Sequence, residues 1–368
     1  MALAGAFPTN APRRLAMIFV NHGKDWTKAT RDVLAASDIG RFLKPGMAVA
    51  IKPNLVTAQP AANGATTHPE VVEGIVMFLK DFGIRDVSAI ENSAVGHSAR
   101  QAFRTCGYEA LKKKHGIRLV DLESDRRVAT RAEGIDIQVC ASALETDFLI
   151  NAPVLKAHSQ TRMTCCMKNL KGCIPQSEMR RFHALGLHKP IAALNAVLKT
   201  GYCVVDGICG DLSFEEGGTP VEANRIIAGR NPALVDSFCA GLVGYEPDDI
   251  EHLSLGRKMG IGEYCSRETK VTELNPHLKP PRQARIDRIA DRYGAVIDED
   301  AACSACHAAL VFALSRKGAS SARAGKISIG QGHKGKSGDG LGVGDCASGF
   351  RICAKGCPPR AIDILPFL

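Results

Sequence analysis

The sequence predicts an α/β fold: a mostly parallel sheet with helices on both faces, followed by a small cysteine-bearing C-terminal domain. Three observations predict it. Short apolar runs alternate with helix-like stretches over the first two thirds of the chain, as strands joined by crossover helices do. The 368 residues, 45% hydrophobic and 23% charged, suit a packed core and two domains. The chain also changes character after about residue 255, and five cysteines fall in its last quarter.

The elements follow in order. Residues 47–51 form a short apolar run that ends in Lys52-Pro53-Asn54. Residues 70–82 carry helical spacing at Val71, Ile75, Phe78, Leu79 and Phe82. Thr67-His68-Pro69-Glu70 supplies that helix with a capping box and a first-turn proline, and Gly83 stops it. Residues 86–90 read as the next strand and 98–106 as a helix stopped at Gly107. Further strands are expected at 118–122, 148–152, 202–205 and 225–228, with helices at 191–198 and 232–242. This α/β domain is placed at 14–255, a connector at 256–298 with three prolines between 275 and 281, and a terminal domain at 299–368. The stretch 318–349 is rich in Gly, Ser and Lys. A domain so poor in large apolar residues needs a staple, and metal is the usual intracellular one.

Composition narrows the class. A chain with fourteen cysteines and so large an apolar fraction is no secreted disulfide scaffold. Arg13-Arg14 precedes only six apolar residues, too few for a signal peptide, and no run approaches the ~18 residues of a membrane span. The expectation is a soluble, cytoplasmic protein whose cysteines are thiols or metal ligands. One Trp and 5% aromatics argue against a stacking surface for single strands, and no nucleic-acid module is recognisable. The net charge of +9 favours an anionic partner. No phosphate loop, nucleophile elbow or dinucleotide fingerprint in strand–helix context is present.

Cys303-Ser-Ala-Cys306 places two thiols close enough for one metal centre, and Cys346, Cys353 and Cys357 follow. Cys357-Pro358 matches the step that closes many iron–sulfur ligand runs. Gly330, Gly332, Gly342 and Gly344 let backbone approach a cluster and offer N–H groups to its sulfurs. The spacing points to a 4Fe-4S cluster on Cys303, Cys306, Cys346 and Cys357, with Cys353 able to replace Cys346. Structural zinc and redox thiols remain as alternatives, although Cys346-x6-Cys353 is wide for a zinc pair.

In the large domain, residues 156–189 hold Lys156, Arg162, Lys168, Lys171, Arg180, Arg181 and Lys189, with His158, His183 and His188, against the single acid Glu178. Most such runs are solvated faces. Here Lys52 and Asn54 follow one strand, and Lys156 and His158 follow another. Ligands sit at the carboxyl ends of strands in open α/β sheets, so one convergent anion site is expected. Lys156, His158 and Asp206 are the candidate catalytic groups; Lys52, Asn54, His68, Lys168 and Asn169 are the candidate substrate contacts. His68 equally suits a helix-capping role and Asp206 a turn. Cys165-Cys166, with Cys173 beyond, reads as buried packing, or as a second metal site with His158.

Two resemblances bear on these residues. Gly342-Val-Gly-Asp-Cys346 and Gly356-Cys-Pro-Pro-Arg360 resemble cluster ligands of complex I and hydrogenase small subunits. More broadly, the chain resembles the domain of unknown function 362 family of iron–sulfur proteins. That likeness rests on Ile51-Lys-Pro-Asn-Leu55, Thr67-His-Pro-Glu70, Asn151-Ala-Pro-Val-Leu-Lys-Ala-His158, Met167-Lys-Asn-Leu-Lys-Gly172, Val205-Asp-Gly207 and Ala228-Gly-Arg-Asn-Pro232. It implies a cluster-binding tail and leaves the reaction open. The tail departs from the compact ferredoxin run, which speaks against a two-cluster domain. The strand-end Lys and His residues are also loosely similar to the lactate-racemase fold, an analogy of fold alone.

The sequence thus points to an iron–sulfur oxidoreductase or electron-transfer protein acting on a small anionic substrate, or docking a redox partner protein. The alternatives are a racemase, lyase or transferase on an organic acid with a structural cluster, and a non-catalytic electron or cluster carrier.

Overall fold

The computed structural model describes residues 17–280, 285–317 and 326–368. Arg13-Arg14, Pro281 and the 318–325 part of the Gly-rich stretch lie outside the described residues. Eight strands form the main sheet in the order Lys270–Leu274, Met17–His22, Pro220–Gly229, Tyr202–Asp211, Phe148–Ala152, Val49–Pro53, Val87–Glu91, Arg118–Asp121. Of these, Pro220–Gly229 alone runs against the others, pairing antiparallel with both its neighbours.

The central strands are buried because both faces are covered. Along Phe148–Ala152, Phe148, Ile150 and Ala152 pack to one side and Leu149 to the other. The first side receives the helices Trp26–Ala36, Pro69–Asp81, Ala99–Thr105 and Tyr108–His115. The second receives Gln176–Ala184, His188–Val197 and Pro232–Leu242. Alternate residues of a pleated strand point to opposite faces, so a two-sided core demands apolar residues at every position.

Several sequence expectations are corrected. Thr67 does not cap the helix Pro69–Asp81, whose N-cap is His68 with no side-chain cap bond. Its hydroxyl instead accepts from the Asn54 N–H and donates to the Ala152 carbonyl, tying two strand ends together. The 202–205 strand runs on to Asp211, with a register shift between Gly207 and Cys209. The expected connector contributes Lys270–Leu274 to the edge of the main sheet.

The terminal region has a sheet of its own, all parallel, in the order Ile297–Glu299, Ile327–Ile329, Gly338–Val343, Phe350–Ala354. The helix Ser304–Lys317 covers it. Leu310, Val311, Leu314, Ile327, Ile329, Val343 and Ile364 form its core. The tail is therefore not as poor in core as its Gly-rich stretch suggests. Ser304 is the first residue of that helix, so the Cys303–Cys306 pair lies on a first helical turn.

This terminal unit sits on the large domain through polar contacts. Gln160 donates from Nε2 to Glu299 Oε1 at 2.6 Å and accepts from Ser304 Oγ at 2.8 Å. The Gln331 side chain donates to the Arg180 carbonyl at 2.9 Å. Phe214 and Phe312 meet edge to face, with ring centroids 4.8 Å apart.

Candidate active site and cysteine cavity

A cavity of about 80 Å³ opens where the parallel strands end. Val49–Pro53 delivers Lys52 and then Asn54; Val87–Glu91 delivers Glu91 and Asn92. The chain after Phe148–Ala152 forms a two-stranded ribbon, Lys156–His158 against Arg162–Thr164, which delivers Lys156, His158 and Thr164. The short helix Cys166–Asn169 and the turn Leu170–Cys173 add Lys168, Asn169, Lys171 and Gly172. Glu215 and Glu216 enter from the loop between Tyr202–Asp211 and Pro220–Gly229. Ser304 and Ala305 close one wall from the terminal unit.

The four lysines are held differently. Lys52 Nζ pairs with Glu91 Oε1 at 2.6 Å and donates to the Pro53 carbonyl. Glu91 also accepts the Leu55 and Asn92 N–H groups, so this fully buried pair is saturated. Lys156 Nζ donates to the Ala65 and Glu215 carbonyls, both at 2.6 Å. Burial pulls its ammonium down to about 7, with Glu215 working the other way. Lys171 Nζ lies 2.6 Å from His183 Nε2. Lys168 has no hydrogen-bond partner on a protein atom among the described residues, and burial pulls it to about 8. It is the lysine left for an incoming anion.

His158 accepts the Gln160 and Thr161 N–H groups at Nδ1, which assigns the proton to Nε2. Nε2 faces Glu215 Oε1 at 3.5 Å. Burial and the surrounding lysines hold this imidazole neutral, well below its usual range. Burial, then Glu215, raises Glu216 to about 7. Thr164 Oγ1 and Glu215 Oε1 are buried without a hydrogen-bond partner among the described residues. The cavity therefore offers a cation and a hydroxyl with no hydrogen-bond partner among the described residues, and a carboxylate oxygen that faces His158 Nε2 at 3.5 Å.

Of the sequence-predicted residues, Lys52, Asn54, Lys156, His158, Lys168 and Asn169 meet around this cavity. Asn169 acts as a brace, donating from Nδ2 to the Lys52 carbonyl and to Asn151 Oδ1. His68 and Asp206 are not among the lining residues. They pair with each other, His68 Nδ1 to Asp206 Oδ2 at 2.8 Å, fully buried beside Cys209. Burial opposes the charge on His68, yet Asp206 carries its pKa up to about 10. Sequence reasoning missed Glu91, Glu215, Glu216 and Ser304. Glu91 ends a strand as Lys52 does and was open to the same argument; the others come from distant segments with no local signal.

A second cavity, about 180 Å³, adjoins the first. Cys303, Cys306, Cys346 and Cys357 line it, with Gly330, Gly344, Gly356, Arg180 and Lys334. Cys353 does not; its thiol reaches the Gly344 carbonyl at 3.7 Å. A Cβ on Gly344, whose φ is +86°, would lie 3.7 Å from Cys306 Sγ.

The family model described as a domain of unknown function, DUF362, matches residues 49–241, more than half of the chain. The chain belongs to the DUF362 family. The matched DUF362 region contains all the lysines of the first cavity and none of the four cysteines of the second. A thylakoid-associated protein of Synechocystis is 26% identical over 260 residues, covering 68% of this chain and 77% of that protein. Among solved structures, the lactate racemase apoprotein of Thermoanaerobacterium thermosaccharolyticum gives a TM-score of 0.41 at 13% identity, over 64% of this chain and 59% of that one. A Thermotoga maritima protein gives 0.39 at 13% identity, over 65% and 60%. The chain thus spans about three fifths of each of these structures. No helix among the described residues is long and apolar enough to cross a membrane.

Proposed function

We propose that this DUF362 protein is a 4Fe-4S oxidoreductase or electron-transfer protein that acts on a small anionic substrate. One observation carries the reading: the segment Cys303–Cys306 is a wall shared by two cavities. Cys303 and Cys306 face the cysteine cavity while Ser304 and Ala305, between them, face the lysine cavity. A group held by the cysteines and a molecule held by Lys168 would lie on opposite sides of that first helical turn.

The donor set fits a cluster better than a single ion. A tetrahedral zinc with Zn–S near 2.3 Å draws its sulfurs to about 3.8 Å from one another. Among the described residues, no three of the four tail thiols lie mutually within 4.8 Å. Their spread, the cavity between them and the missing Cβ of Gly344 suit a larger inorganic core. Arg180 and Lys334 would offset its negative charge. Such a cluster supplies one-electron transfer at a potential set by its surroundings. The chain's own residues would bind and orient the substrate: Lys168 takes the anion, Thr164 donates to it, and His158 presents Nε2–H toward Glu215.

A second reading draws on a different observation. Burial pulls Lys156 down to about 7 inside the cavity, close to the value that best suits a group that moves protons. Racemase, lyase or transferase chemistry on an organic acid, with a structural cluster, would use it. A non-catalytic carrier is disfavoured by the depth of the lysines, Lys52 and Lys156 being 1% exposed.

The deciding experiment is anaerobic purification with iron and acid-labile sulfide analysis and EPR before and after dithionite. About four of each per chain and a signal that changes on reduction are expected. Zinc on the tail cysteines with no sulfide would overturn the redox reading and leave the lysine cavity as the seat of the chemistry.

A further inference from the structure

We propose that Cys209 is a peroxide-reactive thiol, activated by His68 and Asp206 in a Cys–His–Asp constellation of the large domain. The constellation lies outside both cavities, and the proposal does not depend on the electron-transfer reading.

The geometry centres on one imidazole. His68 is the N-cap of the helix Pro69–Asp81 and makes no side-chain cap bond, so its ring turns to the strand Tyr202–Asp211 instead. Nδ1 meets Asp206 Oδ2 at 2.8 Å, and Nε2 meets Cys209 Sγ at 3.7 Å. Asp206 is itself fixed: Oδ2 also accepts the His68 N–H at 2.7 Å, and Oδ1 accepts the Ile208 N–H at 3.0 Å. Trp26 packs edge-on against the imidazole, with ring centroids 4.9 Å apart. The ring is thereby held with one nitrogen on a carboxylate and the other on a sulfur. That is the order of groups in an activated nucleophile, where a base stands between the nucleophile and the acid that orients it.

The strand is bent to make this meeting. Asp206 and Cys209 are three residues apart, and on a regular strand they would point to opposite faces. The register shift between Gly207 and Cys209 brings the second to the side of the first, so both reach His68.

Charge and access favour reaction over inert packing. Burial opposes a proton on His68, yet Asp206 outweighs it and carries the pKa up to about 10. At neutral pH the ring is therefore an imidazolium, and Nε2–H is a proton donor beside the sulfur. A neighbouring imidazolium favours the thiolate form of a cysteine. Cys209 keeps 6% of its surface exposed, whereas Cys140, Cys166, Cys173, Cys203 and Cys239 keep none. So narrow an opening suits a very small reactant. Hydrogen peroxide has few atoms, no charge and a leaving group that needs a proton. The thiolate sulfur attacks one oxygen, the O–O bond breaks, and the departing hydroxide takes the Nε2 proton and leaves as water. The sulfur is oxidised to a sulfenic acid, the peroxide is reduced, and His68 is left neutral. An external thiol reverses the change.

Cys106 is the matched control. It is 4% exposed, and its thiol meets the Gln59 carbonyl and the Thr66 hydroxyl. The full chain receives a brief pulse of hydrogen peroxide at neutral pH with dimedone, which traps sulfenic acids, and peptide mass spectrometry reads each cysteine. Cys209 should be trapped at least about tenfold faster than Cys106. His68→Gln should bring Cys209 to within about threefold of Cys106. Asp206→Asn removes the charge that holds the imidazolium. It should slow Cys209 while circular dichroism and the Cys106 rate stay at wild type. If either variant fails to fold, the wild-type ratio decides. Cys209 trapped no faster than Cys106 in folded wild type, or as fast in folded His68→Gln as in wild type, overturns the proposal.

Discussion

Lys52 and Lys168 line the same cavity yet stand in opposite situations, and their loss should be felt differently. Removing the ammonium of Lys52 strands Glu91 in the interior. Lys52→Met should therefore cost about 3–5 kcal/mol in urea unfolding. Lys168 has no hydrogen-bond partner among the described residues to strand. Lys168→Met should leave the unfolding midpoint close to wild type and weaken binding of small organic anions at least about tenfold by calorimetry. His68 gives a pH signature of its own. Its proton is held to about pH 10 in the folded chain and to about 6.5 once unfolded. The folded state therefore binds more protons between those values, and stability from this pair falls as pH rises through the window. The contribution is complete below about pH 6.5 and gone above about 10. Lys156 and Lys168 act in the opposite sense, since burial lowers their pKa values. The comparison must be wild type against His68→Gln, which keeps a donor to Asp206. The difference between their urea midpoints should shrink steadily from pH 6.5 to 10.

At the scale of elements, the strand ends carry the argument and were largely legible in the sequence. An apolar run followed by Lys52-Pro-Asn54, and another followed a few residues on by Lys156-Ala-His158, marks the carboxyl edge of a parallel sheet without any structure. The antiparallel strand Pro220–Gly229 and the loop before it were not legible as site builders. Glu215 and Glu216 are placed by a long excursion whose destination has no local code. Asp206 misleads for a related reason: the apolar run breaks there, but the ladder continues through Gly207, Cys209 and Gly210 because backbone pairing needs no apolar side chain. Glycine meaning was equally hidden. Gly172 closes the Met167–Gly172 motif, and a Cβ there would sit 2.3 Å from Glu91 Oε1 and 2.7 Å from Lys52 Cε. Gly172→Ala should force apart the buried pair. We expect a loss of about 1–3 kcal/mol in stability together with weakened anion binding, read by thermal unfolding with and without ligand.

For the whole molecule, the relation between the two cavities matters more than either alone. The sequence contained the five tail cysteines and the lysine run but nothing to say that the 132 residues between Lys171 and Ser304 would bring Ser304 beside Lys168 and Lys171. That docking rests on dispersed contacts such as Gln160 with Ser304 and Gln331 with the Arg180 carbonyl. It predicts communication between the cavities. If the tail cysteines hold the proposed cluster, a small dicarboxylate added to the reduced protein should shift its EPR g-values in wild type and leave them unmoved in Lys168→Met. Absence of any shift in wild type, with binding shown by calorimetry, would mean that the pocket and the cluster work independently.

The shared wall has one more consequence. Burial pulls Lys156 down to about 7 and Lys168 to about 8, and the turn that carries Ser304 and Ala305 is one wall of the pocket that encloses them. The terminal unit thereby covers part of a pocket built by the large domain. Loosening that turn, by oxidation of its cysteines or loss of whatever they hold, would admit solvent and return both amines toward ordinary basicity. The pocket would then hold its cations to higher pH, and a bound anion would be released less readily as the pH rises through neutrality. The state of the cysteines would then be written into the chemistry of the lysines through hydration alone.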